Sequence, residues 1–515
     1  MKQNAKGAKT MELKVFRDTV SVSQQLCDLT LEHPVETEIL IPDYQPEIFK
    51  IVKSFVSPVI LQKQVLGGKL TLEGYLRVSV LYQGGSDQSL CQVEQKLPFS
   101  RSVELKTGEC SGCRVSVHGE SEYLNTRAVN QRRIDVKGAY AFAVAAFGQN
   151  EQEIVTSLSG AGVQQKLVPV DFTRVVASIE KPFTVEDSFA FPARPEAVLD
   201  AVCTGSIAEI KLISGKAVVK GTLCAAVTYR SAPGYALERV QKELAFNQIV
   251  DIESLTEDCS CHAEILPQGC TLVEGGEQAG GASISVSCAL SLLVLRQNLV
   301  YAVGDAFSTQ YEAKVETKPL LAEHLVDDFH YTITAAGEGA LPDENSAIID
   351  CLATPLPLSA VDEGGELCLR GRVMAHLICC NSLGEIECYD KPCEVVLPKK
   401  YPAGEGTLTV DVTSLLESAR AQKTASGASC EVTLTVSGTV MERRRLTVLD
   451  AISCDEPLAP PTDGVALRVY YGRAGEELFA IARHYHADPA EIARQSGAEG
   501  ETLQEEMRLL IPAAE

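Results

Sequence analysis

Cysteine and histidine are the residues whose types and spacing could support metal or thiol chemistry in this sequence. Cys110 and Cys113 form a CxxC pair, a spacing found at zinc and redox sites. A zinc finger needs a second pair at a suitable distance, and the sequence has none around this one. We therefore interpret the pair as a surface turn with unreactive thiols, with metal or redox chemistry as the alternative.

Two further groups contain residue types that bind metal ions. The first consists of Cys259, Cys261, His262 and Cys270. Its surroundings are typical of a connecting segment, which favours ordinary side chains over a metal site. The second consists of His324, Asp327, Asp328 and His330, which we interpret as a solvated face. We predict no metal, no cofactor and no catalytic residue, because the sequence lacks phosphate-loop, nucleophile-elbow, HExxH and dinucleotide motifs.

The composition argues against several classes of function. The formal net charge of −23 disfavours nucleic acid and anionic membranes as partners, because both bind basic surfaces. The 18 cysteines would suggest disulfides in a small exported protein, but this chain is long and its first residues lack the apolar stretch of a secretory signal. No run approaches the roughly 18 apolar residues of a membrane-spanning helix. We therefore expect reduced thiols, no transmembrane segment and a cytoplasmic location.

A strand-like segment with a central glycine occurs three times and shows how the chain is organised. The copies are centred on Gly74, Gly221 and Gly371, which are spaced by 147 and 150 residues. Proline recurs in a matching register, spaced by 150 residues, at Pro42, Pro192 and Pro342. One unit of about 150 residues has therefore been used three times.

Each copy alternates apolar and polar side chains with a period of two, so one face is buried and the other is wet. The glycine falls in the buried phase, which predicts a close neighbour, a bulge or a bend there. A hairpin follows each copy, and a short helix is predicted before each one, at Pro46–Phe55, Arg194–Val202 and Asn345–Ala353. Each unit is thus mainly antiparallel β, as a sandwich or an open barrel.

The periodicity changes near the end of the chain, where a different domain begins. The predicted ranges are 1–11 for a disordered leader, 12–165, 166–316 and 317–454 for the repeats, 455–466 for a proline-rich linker and 467–513 for the last domain. The last domain is predicted to contain a strand at Val465–Gly472, helices at Arg473–His486 and from Asp488 to Gln495, and a strand at Met507–Pro512. The fold class is therefore mainly β, with three repeated domains and a small β-α-α-β domain.

The C-terminal segment resembles a LysM domain over about Leu467–Pro512. The similarity rests on an aromatic strand, a glycine-containing loop, a helix with an aromatic residue and Ile-Ala, and a closing Leu-Ile-Pro strand. The resemblance implies a binding groove between the first loop and the end of the second helix. Its residues would be Tyr471, Arg473, Gly475, Glu476, Glu477, Phe479, Ser496 and Gly497. LysM domains commonly bind N-acetylglucosamine glycans, but the altered first loop argues against that ligand.

The three repeats resemble the SPOCS (spore-coat) domains of spore-forming Firmicutes in their proline-containing entry and glycine-centred strand. The first repeat fits least well, since it has three additional residues between Pro42 and Gly74. SPOCS repeats followed by a LysM domain are similar to clostridial spore-coat morphogenetic proteins. This implies a non-catalytic scaffold that docks the spore-coat morphogenetic ATPase through its LysM domain, in the mother cell and at the forespore surface. The alternative is a cell-wall or cortex protein that binds peptidoglycan.

Overall fold

Antiparallel strands make up the described chain from Lys14 to Pro457, as the two-residue alternation predicts. The structure is a computed structural model. It describes residues 13–85, 88–105, 110–232, 237–274, 281–341, 343, 345–402, 404–425, 427–459 and 467–512. The predicted leader, Pro342 and most of the predicted linker lie outside these residues.

The strands occur in three consecutive sets, one for each repeat. The first repeat contains β1 (Lys14–Leu40), β2 (Ile48–Leu66), β3 (Lys69–Gly84), β4 (Leu90–Glu104), β5 (Ser111–Asn130) and β6 (Arg133–Ser159). The second contains β7 (Val163–Ala190), β8 (Pro195–Ile213), β9 (Lys216–Ser231), β10 (Leu237–Asp251), β11 (Ser260–Glu274) and β12 (Gly281–Ser308). The third contains β13 (Tyr311–Gly339), β14 (Ala347–Pro355), β15 (Ser359–Asp362), β16 (Glu366–Cys380), β17 (Ile386–Pro402), β18 (Thr407–Thr424) and β19 (Gly427–Pro457).

Two antiparallel sheets face each other in every repeat. Their strand orders are β1-β6-β5 and β2-β3-β4 in the first repeat, and β7-β12-β11 and β8-β9-β10 in the second. The third has β13-β19-β18 and a sheet in which β16 pairs with β14, β15 and β17. Both sheets of a repeat contribute to one apolar core, so each repeat is a sandwich rather than an open barrel. The predicted limits 165/166 and 316/317 fall inside β7 and β13.

The repeated glycine lies where a neighbouring strand approaches closely, which confirms the predicted crowding. A Cβ atom at Gly74 would collide with the carbonyl oxygen of Val59. The residue opposite Gly74 on β4 is Phe99, whose ring lies against the glycine. Gly221 is crowded in the same way by the carbonyl oxygen of Ser206 and the ring of Phe246, whereas Gly371 lies against the side chain of Leu358. The glycine is therefore required by packing inside the sandwich.

The three short helices predicted before these strands are wrong. Strands occupy the segments Pro46–Phe55, Arg194–Val202 and Asn345–Ala353, in which β2, β8 and β14 begin. Register shifts of the β-bulge type occur three times in β2, three times in β8 and once in β14. One bulge is at an equivalent position in all three strands, where the additional residues are Val52, Leu199 and Ile349. A bulge breaks the two-residue period, so the remaining apolar spacing imitates a helix. The β-branched and aromatic residues of these segments favour strands.

The bulges also bring equivalent side chains together between the repeats. Val52, Leu199 and Ile349 pack in one apolar cluster with the buried residues Leu81 and Ile378. We call this the bulge cluster. Because a bulge changes the direction of a side chain, it allows a strand of the sandwich to present an apolar residue outside its own core. The second sheets of the three repeats therefore meet at this cluster.

A second shared core is formed where the longest strands extend beyond their sandwiches. We call it the axial cluster, and its buried members are Val20, Ile154, Val170, Phe172, Ala302, Leu320, Ala322 and Val448. Val20, Val170 and Leu320 are spaced by 150 residues, so they are equivalent positions of the three repeats. The three repeats thus form one body with shared apolar clusters that no single repeat contains.

Buried polar residues lie in β1, β7 and β13, which are three of the six strands that contribute to the axial cluster. Ser23, Thr173 and Glu323 are spaced by 150 residues and are 8 %, 2 % and 5 % exposed. Glu323 Oε2 lies 3.6 Å from Arg114 Nη2, and Glu323 Oε1 accepts a hydrogen bond of 3.2 Å from Arg443. Arg114 belongs to the first repeat, so this ion pair joins the first repeat to the third.

Candidate partner-binding surface

The C-terminal module has the predicted order of strand, two helices and strand. Its elements are β20 (Leu467–Gly472), α1 (Leu478–Tyr485), α2 (Pro489–Ser496) and β21 (Met507–Pro512). As predicted, Asp488 caps α2, since its side chain accepts a 2.8 Å hydrogen bond from the Ala490 amide.

No helix in the described residues is long and apolar enough to cross a membrane.

The first loop of the module replaces the start of the predicted helix, because α1 begins at Leu478 and not at Arg473. Gly475 has a φ of +89°, which a helix does not allow. The carboxylate of Glu476 accepts hydrogen bonds from the Arg473 amide at 2.9 Å and from the Tyr470 hydroxyl at 3.2 Å. Burial and this hydrogen bond raise the pKa of Tyr470. Glu476 therefore holds the loop in place, and both of its carboxylate oxygens already accept hydrogen bonds from the module itself.

The predicted groove residues come together only in part. The Gly475 amide donates to Leu503 O at 2.8 Å, and the Leu503 amide donates to Glu476 O at 2.9 Å, so the first loop pairs with the segment after α2. The hydroxyl of Ser496, in contrast, accepts a hydrogen bond of 2.8 Å from the Leu510 amide. Gly497 has a φ of +68° and ends α2. Ser496 and Gly497 thus have structural contacts of their own.

Tyr471 is the most exposed aromatic residue among the predicted groove residues, at 76 %. It alternates along β20 with Tyr470, whose side chain packs against the core of the module. Val469, two residues earlier on β20, is also exposed, at 51 %. An exposed aromatic side chain beside an apolar one is typical of a binding surface.

The second repeat covers the other side of the predicted groove. Lys166 Nζ lies 2.6 Å from Glu477 Oε2, and the rings of Phe307 and Phe479 are in edge contact at 5.2 Å between centroids. Two more contacts flank them. They join Arg483 to Asp305 at 2.5 Å, and His486 Nδ1 to the carbonyl oxygen of Ser308 at 3.0 Å. Glu477 and Phe479 are therefore engaged within the chain, beside a cleft of about 690 Å³.

Sequence analysis missed the residues of the second repeat that make these contacts. Lys166 lies 311 residues before its partner Glu477, and Asp305 lies 178 residues before Arg483. Neither residue belongs to a recognisable motif, and no local pattern in the sequence connects them to the module. Phe307 lies at the end of β12, near the boundary between two repeats. Its apolar side chain at that position was the one sign in the sequence that another part of the chain packs there.

The two cysteine groups that the sequence suggested differ in the structure, since one pair stays together and the other group is spread along a strand. All eighteen cysteines are thiols. Cys113 Sγ donates to the carbonyl oxygen of Cys110 at 3.6 Å, and burial raises the pKa of Cys113. On β11, Cys261 lies opposite Val294 and Cys270 lies opposite Val286. At about 3.3 Å per residue, eight residues of strand are about 26 Å long, so these two thiols do not share an ion.

One other group of ligand-type residues, His376, Cys388 and Asp390, occurs in the described part of the chain. His376 Nδ1 and Asp390 Oδ1 are 2.7 Å apart, and Lys53 Nζ of the first repeat lies 2.7 Å from Asp390 Oδ2. Burial raises the pKa of Cys388 to about 12, so its thiol keeps its proton. The lysine already neutralises the carboxylate. We therefore interpret the group as a contact between repeats.

His262 joins the second and third repeats through two carboxylates. Its Nδ1 lies 2.6 Å from Asp328 Oδ1 and its Nε2 lies 3.2 Å from Glu264 Oε1. Glu264 also accepts hydrogen bonds from Thr413 at 3.2 Å and Ser437 at 2.7 Å. Burial alone would lower the pKa of His262, but the two carboxylates raise it to about 10. The predicted solvated face around Asp328 is thus partly an interface between repeats.

Comparison with known proteins gives one family match. The family described as SipL, SPOCS domain matches residues 47–129 and 196–271. These segments run from β2 into β5 and from β8 into β11, which are the same four strands of the first and second repeats. The first repeat, which seemed least similar in the sequence, is therefore one of the two that match. No curated protein and no solved structure matches the chain. The comparisons thus show similarity to SPOCS domains in two repeats, outside the C-terminal module.

Proposed function

We propose that the protein is a non-catalytic scaffold of spore-coat assembly that binds a protein partner through its C-terminal module. The observation that carries this proposal is the match of two repeats to the SPOCS domain. The bulge cluster and the axial cluster support it, because they join the three repeats into one body that suits a scaffold. The proposed site of action is the mother-cell cytoplasm and then the forespore surface.

The proposed partner is the spore-coat morphogenetic ATPase, and the proposed contact is the LysM-like first loop with Tyr471. Tyr471 is exposed and the loop beside it is fixed by Glu476, so the surface is preformed. A preformed surface with an aromatic anchor loses little conformational entropy on binding.

Capture of the purified ATPase by the full-length chain tests this proposal. We expect Tyr471→Ala to reduce the affinity about tenfold, the effect of losing an aromatic hot spot. Gly475→Ala, which strains a backbone with a φ of +89°, should reduce it as well. Tyr123→Ala is the matched control, since Tyr123 is 60 % exposed on the first repeat. Unchanged capture by both module variants would refute the assignment of the surface.

The second candidate function is binding of peptidoglycan by the same module. The exposed ring of Tyr471 favours it, because aromatic side chains provide a flat apolar surface for sugar rings. Sedimentation of the full-length chain with purified peptidoglycan distinguishes the two candidates. A protein-binding module leaves the chain in solution, whereas a glycan-binding module brings it into the pellet unless Tyr471 is replaced by Ala.

A further inference from the structure

The contact between the module and the second repeat includes the core of the module. Phe307 of β12 is only 3 % exposed, and it belongs to the same apolar cluster as Leu478 and Ile481 of α1. The second repeat therefore supplies a side chain that the module buries on docking. Separation of the two would expose the rings of Phe307 and Phe479 to water, at a cost that favours the docked arrangement.

The charged contacts around these rings fix the orientation of the module. Lys166 of the second repeat pairs with Glu477 of the module. The second pair has the reverse polarity, because its acidic residue, Asp305, is on the second repeat and its basic residue, Arg483, is on the module. The four side chains are between 31 % and 48 % exposed, so water screens both pairs and each contributes little to stability. Two pairs of opposite sense nevertheless exclude a rotated arrangement, because rotation would bring like charges together.

A short connection makes such a modest contact effective. Only residues 458–466 join β19 to β20. A tether of this length keeps two binding surfaces at a mutual concentration on the order of millimolar. A contact that would be weak between separate molecules is therefore sufficient to keep the module docked, and it remains weak enough for a partner to displace.

We propose that the docked module is a closed state, in which the second repeat occupies the α1 side of the surface that the partner would bind. This inference rests on the proposed function, since Glu477 and Phe479 belong to the predicted partner-binding surface. Docking and partner binding then exclude one another at these two residues. The chain binds its partner fully only in an open state, in which Lys166, Asp305 and Phe307 have released the module.

The test uses the full-length chain, and the release variant carries substitutions only in the second repeat. In Lys166→Glu/Asp305→Arg, both ion pairs become repulsive. The matched control, Glu209→Arg/Lys220→Glu, reverses one acidic and one basic residue of an exposed ion pair elsewhere in the second repeat. Adding Arg483→Asp to the release variant restores one attractive pair, without altering a residue proposed to bind the partner.

Small-angle X-ray scattering reports docking, and titration with the purified ATPase reports binding. We expect the release variant to have a larger radius of gyration than the wild type and to bind at least threefold more tightly, since apparent affinity scales with the open fraction. The control should match the wild type, and Arg483→Asp should move both values back towards it. Unchanged scattering, or a released module that binds no more tightly, overturns the inference. Failure of every variant to bind the ATPase contradicts the proposed function, while the scattering result still decides whether the module docks.

Discussion

Asp328 of the third repeat lies 2.6 Å from the imidazole of His262 in the second, measured from Oδ1 to Nδ1. The pKa of His262 is raised to about 10 in the folded chain, against an ordinary value of 6.5. A raised pKa stabilises the folded state wherever the unfolded histidine would already be protonated. The contribution is therefore complete below about pH 6.5, decreases as the pH rises and is lost above about pH 10.

The first prediction is that His262→Gln removes this pH-dependent stability. Below pH 6.5 the variant should be less stable by roughly 3 kcal/mol, because two carboxylates lose their buried cation. The difference from the wild type should shrink between pH 6.5 and 10, as measured by urea unfolding at several pH values. His330→Gln, at an exposed position of β13, is the control. A difference that stays constant with pH would show that His262 is not charged in the folded chain.

The second prediction concerns the repeated glycine. Gly74→Ala should lower the free energy of unfolding by about 1–3 kcal/mol, because its methyl group collides with the carbonyl oxygen of Val59 and must displace the strand. Gly269→Ala is the control, since nothing lies within 4 Å of the position of its Cβ atom. Circular dichroism is the suitable probe, as the chain contains no tryptophan. Equal stability of the two variants would contradict the packing role.

The third prediction concerns the buried ion pair of Glu323 and Arg114. Glu323→Ala should destabilise the protein by about 3–5 kcal/mol, since it leaves a buried guanidinium without its carboxylate. Glu316→Ala, at an exposed position of the same strand, should have little effect. Thermal unfolding provides the measurement. If the two substitutions have similar effects, the ion pair does not hold the first and third repeats together.

The fourth prediction concerns the bulge cluster. Leu199→Asp introduces a carboxylate among apolar side chains from three repeats and should cost about 2 kcal/mol or more. Ile213→Asp, at a position 46 % exposed near the end of β8, is the control. Limited proteolysis adds a readout specific to the interface, because loosened repeats are cleaved faster between β6 and β7. Resistance equal to that of the control would argue against a role of the bulge in joining the repeats.

The repeats, their glycine-centred core strands and the β-α-α-β module could be predicted from the sequence, because each depends on local periodicity. The two-residue alternation around Gly74 directly reports a buried face. The prediction of helices at the starts of β2, β8 and β14 was wrong because the local periodicity is interrupted there. Val52, Leu199 and Ile349 interrupt the alternation, and a local reading cannot tell a bulged strand from an amphipathic helix.

The shared cores and the docking of the module depend on contacts between distant parts of the chain. Ser23, Thr173 and Glu323 have different chemistry, and only their equivalent positions reveal that they belong together. Phe307 and Phe479 meet across two domains, so neither local pattern predicts the other. The groove prediction was correspondingly limited, because a domain resemblance describes an isolated module and not the surface against which it packs.

The axial cluster also sets the timing of folding during synthesis. Arg17 Nη2 donates a 2.9 Å hydrogen bond to the carbonyl oxygen of Asp450, 433 residues later. At a translation rate of about 5–20 residues per second, Arg17 is synthesised roughly 20–90 s before this partner. During that interval Val20 and Ile154 have no neighbours from the third repeat, and the growing chain presents an incomplete apolar surface. The nascent protein is therefore prone to aggregation until its last repeat has left the ribosome.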